Sequence, residues 1–326
     1  MPFSFFCILN FTKNLVGILL YLQPKSIVFV QSKSTQLSKP PSPKAWILLG
    51  LLGLVWGSSY VLIKKGLEAF DPEQVACLRI SITALAFSPI FVVNFKKIDW
   101  SKLKYFAIVG FAGSFFPAFL FSFAQTQISS SITGVLSSLT PLFTLALGIL
   151  FFKTPFFWPK VAGVLVGLAG AILLIVFGKE AGVDGNIWYG LLVVLGSLLY
   201  ASSANTVGSH LQDMDALMIS AVSFILIGIP AVTYLFYTDF TTVLIEKENG
   251  WAALGYISIL SLFGTFIATV VFFKLVQMTD AVFSSTVSYL IPIVAIMWGA
   301  VVGEPITFYH LIGMLLILSG VYISRK

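Results

Sequence analysis

The chain has 326 residues, of which 58% are apolar and only 10% charged, and its mean hydropathy is +0.99. That leaves too little polar surface to cover a water-soluble globule of this size, so the composition specifies an all-α integral membrane protein with several spans. The formal charge of +6 does not mark a nucleic-acid binder, because the Lys residues are scattered between apolar segments instead of clustering on one polar face.

In chain order, residues 1–44 form an N-terminal extension, disordered or membrane-adjacent. Asn10, Lys13 and Asn14 interrupt its apolar run, and a central Lys alone costs ~2.5–3.5 kcal/mol on insertion scales, which argues against an extra span. The run KPPSPK, residues 39–44, is a proline-rich linker. Five stretches that can cross a bilayer as helices follow at 45–65, 73–93, 104–124, 129–152 and 158–178. Five more lie at 187–207, 216–237, 251–273, 281–303 and 307–324, and the longest connection is 238–250.

The two sets are copies. GVLSSLTPLFTLALGILFFKTPF, from Gly134 to Phe156, recurs in outline as STVSYLIPIVAIMWGAVVGEPIT, from Ser285 to Thr307. One register carries Trp100 to Trp251, Gly113 to Gly264, Phe121 to Phe272, Ser137 to Ser288, Pro141 to Pro292 and Gly148 to Gly299. An odd number of spans per half inverts the second copy. The charges agree. Lys96, Lys97, Lys102 and Lys104 match a loop holding Glu246, Lys247 and Glu248, and Lys153 and Lys160 match Glu304 and His310. Lys and Arg are retained on the cytoplasmic side of short loops, which places both termini in the cytoplasm, with Lys64, Lys65, Lys179 and Lys247 outside. The expected architecture is ten transmembrane helices as two inverted five-helix repeats, residues 45–178 and 187–326.

Catalytic material is sparse. The only histidines, His210 and His310, lie near membrane surfaces, and Cys7 and Cys77 are far apart in sequence, so no metal site, disulfide framework or nucleophilic pair is indicated. No enzyme activity and no cofactor are expected. The run GVLVGLAG follows no strand and reads as helix packing, not as a nucleotide loop.

The chemistry expected is that of a cavity. Pro141 and Pro292 lie mid-span as matched helix kinks, which either improve packing or, as is common in transporters, border a substrate site near the midplane. Polar residues cluster beside them and beside Trp56, Tyr200 and Tyr289, which suits a small amphipathic solute better than an inorganic ion. The first, third, fourth, sixth, eighth and ninth helices are expected to line the cavity. Trp56, Ser59, Tyr200 and Tyr289 are its expected walls, and Gln125, Ser137, Thr140 and Ser288 its polar contacts. Arg79, about six residues into the second span, reads either as a gate and anion contact near the outer mouth or as a cation snorkelling to the headgroups. Span centres carry no carboxylate, which argues against a proton-coupled cation extruder.

Several motifs together resemble the EamA family of the drug/metabolite transporter superfamily. WGSSYVLIK, from Trp56 to Lys64, and CLRISITAL, from Cys77 to Leu85, resemble its first- and second-span signatures. SLTPLFTLAL, from Ser138 to Leu147, and YLIPIVAIMWGAVVGEPIT near the end of the second half are similar to its proline motifs. The chain departs where the family has Gly-Glu at the end of the fourth span and Phe152-Lys153 stands instead. The resemblance implies a ten-helix inverted-repeat carrier that moves amino acids or other small metabolites outward across a bacterial inner membrane. Its partners would be a small-molecule metabolite and the lipid bilayer, without nucleic acid, and it would act as a monomer or homodimer. The alternatives are a cationic drug exporter, a nucleotide-sugar carrier, which would want more buried Lys or Arg for the phosphates, and a non-transporting membrane receptor or assembly factor.

Overall fold

The computed structural model describes residues 41–128, 130–177, 187–301 and 308–324, and every regular element among them is helical. Residues 1–40 of the expected extension, with Lys179 and Glu304, lie outside the described residues. Chain polarity is punctuated where the sequence supplies caps. Ser42 accepts from the Ala45 N–H at 3.3 Å and Pro43 opens α1 (Pro43–Leu67). Asp71 and Pro72 open α2 (Pro72–Asn94), with Gln74 Oε1 accepting from the Asp71 N–H at 3.0 Å. Such caps satisfy donors that a helix start leaves free.

The third helix, α3 (Trp100–Ala124), is interrupted by a π-helical turn at Phe111–Phe115. After it come α4 (Ser130–Ser137), α5 (Thr140–Phe151) and α6 (Trp158–Phe177). The second half comprises α7 (Ile187–His210), α8 (Ala216–Phe236), the short α9 (Phe240–Glu246) in the longest connection, and α10 (Gly250–Met278). It ends with α11 (Ala281–Ser285), α12 (Val287–Val301) and α13 (Phe308–Ser324). Among the described residues, α1, α2, α3, α7, α8 and α10 are each long and apolar enough to cross a membrane. Leu85, Val93, Ile229 and Leu315, each well over half exposed, form the kind of apolar outer surface that lipid covers.

Two spans expected as single helices are broken. Residues 129–152 divide into α4 and α5 at Ser138 and Leu139, and residues 281–303 divide into α11 and α12 at Thr286. Pro141 therefore opens a helix instead of kinking one, whereas Pro292 sits inside α12. Each proline lacks the N–H that would bond the carbonyl four residues earlier, which frees the carbonyls of Ser137 and Ser288. Hydroxyls take them both: Thr140 Oγ1 donates to Ser137 O at 2.7 Å, and Ser138 Oγ, from the other half, donates to Ser288 O at 3.2 Å. In a bilayer no water is at hand for that task.

A second duplicated irregularity has a proline signal in one copy only, Pro117 after the turn of α3, where α10 has Ala268. α10 carries a π-helical turn at Leu260–Ile267, matching that of α3, and the turns contain Gly113 and Gly264, which the repeat register equates. The packing also survives exchange of the halves. α2 lies along α8 and α6 along α13, while α1 packs on α10 and α12 as α7 packs on α3 and α5. The α6–α13 crossing depends on small residues: a Cβ on Gly170 would stand 2.8 Å from Gly313 O, and one on Gly320 would meet the backbone of Gly163 and Gly167. Between α2, α8 and α10, Phe87 stacks on Phe224 at 5.4 Å and packs against Phe266 at 4.3 Å between ring centroids.

Candidate functional site: a cavity between the halves

The broken helices and the two π-helical turns meet around one cavity. It offers about 90 Å³ to the centres of water-sized molecules, well above the ~10–15 Å³ that a single water needs on that measure. α1 contributes Trp56, Ser59, Tyr60 and Ile63, and α7 contributes Tyr200 and Ser203. Ser137 and Thr140 come from the first break, Ser285, Val287, Ser288 and Ile291 from the second, and Arg79 from α2.

Its walls are built twice. Trp56 of α1 packs on Phe272 of α10 with ring centroids 5.2 Å apart, and Tyr200 of α7 packs on Phe121 of α3 at 5.6 Å. Three residues further along each helix, Ser59 faces Gly264 and Ser203 faces Gly113, each so closely that a Cβ on the glycine would meet the serine hydroxyl. One register thus carries Trp56 onto Tyr200 and Ser59 onto Ser203. The Trp56 Nε1–H adds a bond to Gly264 O at 2.9 Å, inside the π-helical turn.

Polarity is less symmetric. The Arg79 Nε–H donates to Thr265 Oγ1 at 2.8 Å, so the guanidinium is held across the cavity instead of extending to the helix end. Tyr60 and Tyr200 line the same cavity as the guanidinium. Ser203 Oγ is buried without a hydrogen-bond partner among the described residues. Most other hydroxyls are self-satisfied: Ser59 donates to Val55 O at 2.8 Å and Ser137 to Gly134 O at 2.5 Å. Aromatic faces, hydroxyls and one guanidinium suit an organic solute, whereas metal ions want carboxylates, imidazoles or thiolates.

Of the residues expected from sequence, Trp56, Ser59, Arg79, Ser137, Thr140, Tyr200 and Ser288 line this cavity, while Gln125, Tyr289, Pro141 and Pro292 do not. Tyr289 is fully buried; its hydroxyl donates to Val164 O at 2.8 Å and its ring lies over Gly167. It braces α12 against α6. Gln125 ends α3, where its carbonyl accepts from Lys64 Nζ at 2.7 Å and its Oε1 from Ser130 Oγ at 3.2 Å. Asn205, another buried amide, ties α7 to α5 through Thr144 O at 2.9 Å.

The sequence reading missed α2 as a lining helix and Tyr60, Phe121, Ser203 and Phe272 as lining residues. Phe121 and Phe272 were already matched by the repeat register, and the Trp56–Tyr200 register would have pointed to Ser203. An ion pair was missed as well. Lys160 Nζ, at the start of α6, meets Asp280 Oδ2 at 2.8 Å, while Asp280 Oδ1 caps α11 by accepting from the Phe283 N–H at 2.9 Å. The pair ties the two halves together beside the second break.

Comparison with known proteins places the chain among membrane transporters. The model of the EamA-like transporter family matches twice, over residues 43–176 and 187–325. An uncharacterized transporter of Archaeoglobus fulgidus is 29% identical over 86% of this chain and 98% of its own length. A probable amino-acid metabolite efflux pump of Salmonella typhimurium is 26% identical over 87% of this chain and 95% of its own. The uncharacterized inner membrane transporter YedA of Escherichia coli is 26% identical over 77% and 80%. A solved crystal structure superposes with a TM-score of 0.63 over 86% of this chain and 96% of that one at 16% identity, which speaks to the fold alone.

Proposed function

The chain belongs to the EamA-like transporter family, and from that premise we propose that it exports amino acids or other small metabolites by alternating access through the cavity between its halves. In this reading ten spans form two inverted five-helix repeats, residues 45–178 and 187–326, behind the extension of residues 1–44. α4 with α5, and α11 with α12, each make one broken span. The protein sits in a bacterial inner membrane with both termini in the cytoplasm, works as a monomer or homodimer, and needs neither a cofactor nor nucleic acid.

One observation carries the proposal: the cavity has two walls related by the repeat, Trp56 with Phe272 and Tyr200 with Phe121, and each wall pairs one ring from each half. Rocking one half against the other can then uncover the same site from either side. Ser59, Ser137, Thr140 and Ser288 supply polar contacts, and Arg79 serves as the charged contact near the outer mouth. Tyr289 and Gln125 support the site from outside it. Pro141 and Pro292 shape it by freeing the carbonyls of Ser137 and Ser288. Similarity to the Salmonella amino-acid metabolite efflux pump and to the Escherichia coli inner membrane transporter favours metabolite efflux and an inner membrane.

The test is flux from purified protein in liposomes loaded with a pool of amino acids and related metabolites, each followed by mass spectrometry with and without a proton gradient. Selective loss of one solute class supports export, and its gradient dependence reports the coupling. Binding of a solute without net movement in correctly inserted protein would instead favour a receptor.

A further inference from the structure

Arg79 is the only charged side chain in the cavity lining among the described residues. It is partly exposed, and no carboxylate reaches it: the ion pairs among the described residues join Lys65 to Glu68 and Lys160 to Asp280. Its Nε–H is already committed to Thr265 at 2.8 Å, which fixes the plane of the guanidinium. A cation in an enclosed apolar site is costly unless paired, so the missing anion is one the solute can bring. The unpartnered hydroxyl of Ser203, 3% exposed, lines the same cavity one helical turn beyond Tyr200.

The charge is also one-sided. The register that carries Trp56 onto Tyr200 carries Arg79 onto Ser223, whose hydroxyl is occupied with Phe106 O at 3.0 Å. A cavity with duplicated aromatic walls therefore has one charged pole and, among the described residues, no acidic one to receive an ammonium group.

We propose that Arg79, steadied by Thr265, is the anchor for the carboxylate of a small monocarboxylic acid whose apolar or aromatic body lies between the Trp56–Phe272 and Phe121–Tyr200 walls, and that an amine on the solute is dispensable. This rests on the cavity being the substrate site. A guanidinium meets a carboxylate through two parallel hydrogen bonds, so the anchor selects for charge and the walls for shape.

Calorimetric titration of the full chain in lipid nanodiscs tests it with a matched series. Phenylalanine, 3-phenylpropionate, phenylalanine amide and phenethylamine share a body and differ in carboxylate and amine; lactate and 4-methylpentanoate extend the acids to aliphatic bodies. At least one acid lacking an amine binds saturably, and the amide and the amine do not. Arg79→Gln weakens that acid ~30-fold or more, the loss typical when one partner of a buried charge pair is truncated. Arg79→Lys recovers part of the affinity, and Thr265→Val, which frees the guanidinium, loses several-fold less than Arg79→Gln. Equal binding of the amide and the acid, unchanged acid affinity in a folded Arg79→Gln protein, or no saturable binding by any acid each overturns the proposal. Acid binding without flux in liposomes would defeat the transport reading and leave the anchor standing, whereas flux indifferent to the carboxylate would do the reverse.

Discussion

The indole N–H of Trp56 donates to the carbonyl of Gly264 at 2.9 Å, and that carbonyl belongs to a π-helical turn in the other half of the chain. The bond holds a cavity wall to the irregular stretch of α10 facing it. Trp56→Phe keeps a ring against Phe272 and deletes the bond, so it should cost about 1 kcal/mol in stability with a modest rise in the KM for flux. Trp56→Ala removes the wall as well, and its KM should rise far more. Thermal unfolding in detergent and initial rates in liposomes separate the two effects; equal KM values for the two variants would show that the ring is not a wall.

Tyr289 braces α12 against α6 through Val164 and Gly167. A Cβ on Gly167 would stand 2.6 Å from its ring, so Gly167→Ala should cost ~1–3 kcal/mol through overpacking. Adding Tyr289→Leu should recover part of that loss. A double-mutant cycle on unfolding measures the coupling, and strict additivity would mean that the two residues do not press on each other.

Lys153 has φ 56, just beyond the C-terminus of α5, where the Thr154 N–H bonds Gly148 O at 2.9 Å. Left-handed backbone suits glycine at a helix end and strains lysine. Lys153→Gly should raise stability by ~0.5–1 kcal/mol, glycine's extra chain entropy offsetting part of the relieved strain. An unfolding midpoint at or below that of the parent protein would count against the cap.

The Lys160–Asp280 pair is unevenly buried, with side-chain exposures of 6% and 31%. Asp280→Asn strands the deeper charge and should destabilise more than Lys160→Met. Both should fall below the ~3–5 kcal/mol of a fully buried pair, because water reaches Asp280. The double variant should regain much of the loss. If Lys160→Met proves the more damaging, the carboxylate and not the ammonium is the costly partner.

Much of the helical layout was legible because hydropathy, charge and duplication are each local properties of the chain. The interruptions were not. The break at Ser138 persists because the Thr140 hydroxyl takes the carbonyl of Ser137, and the carbonyl that Pro292 frees within α12, that of Ser288, is taken by Ser138 from the other half; a partner of that second kind is invisible along a single strand of text. Of the π-helical turns at Gly113 and Gly264, only the first is followed by a proline, Pro117. For the site, polarity within an apolar span was a mixed guide. It led to Ser59, Ser137 and Ser288 in the lining, and equally to Gln125 and Asn205, whose amides fasten helix ends and helix pairs. A buried polar group reveals that it needs a partner, not that the partner is a solute. For Arg79 the sequence leaves site and snorkel open, because the group that holds its Nε, Thr265, lies far away in sequence.

The central claim, that this cavity is a pathway opened in turn to either side, is tested most directly by reagent access. Ser288→Cys in a Cys7→Ser background places one accessible thiol in the lining, since Cys77 is fully buried. A membrane-impermeant maleimide, applied separately to right-side-out and inside-out vesicles, should label Cys at this position from both sides, and a transported solute should slow both reactions. Labelling confined to one side, whatever the solute, would contradict alternating access and leave a pocket that binds without passing its ligand on.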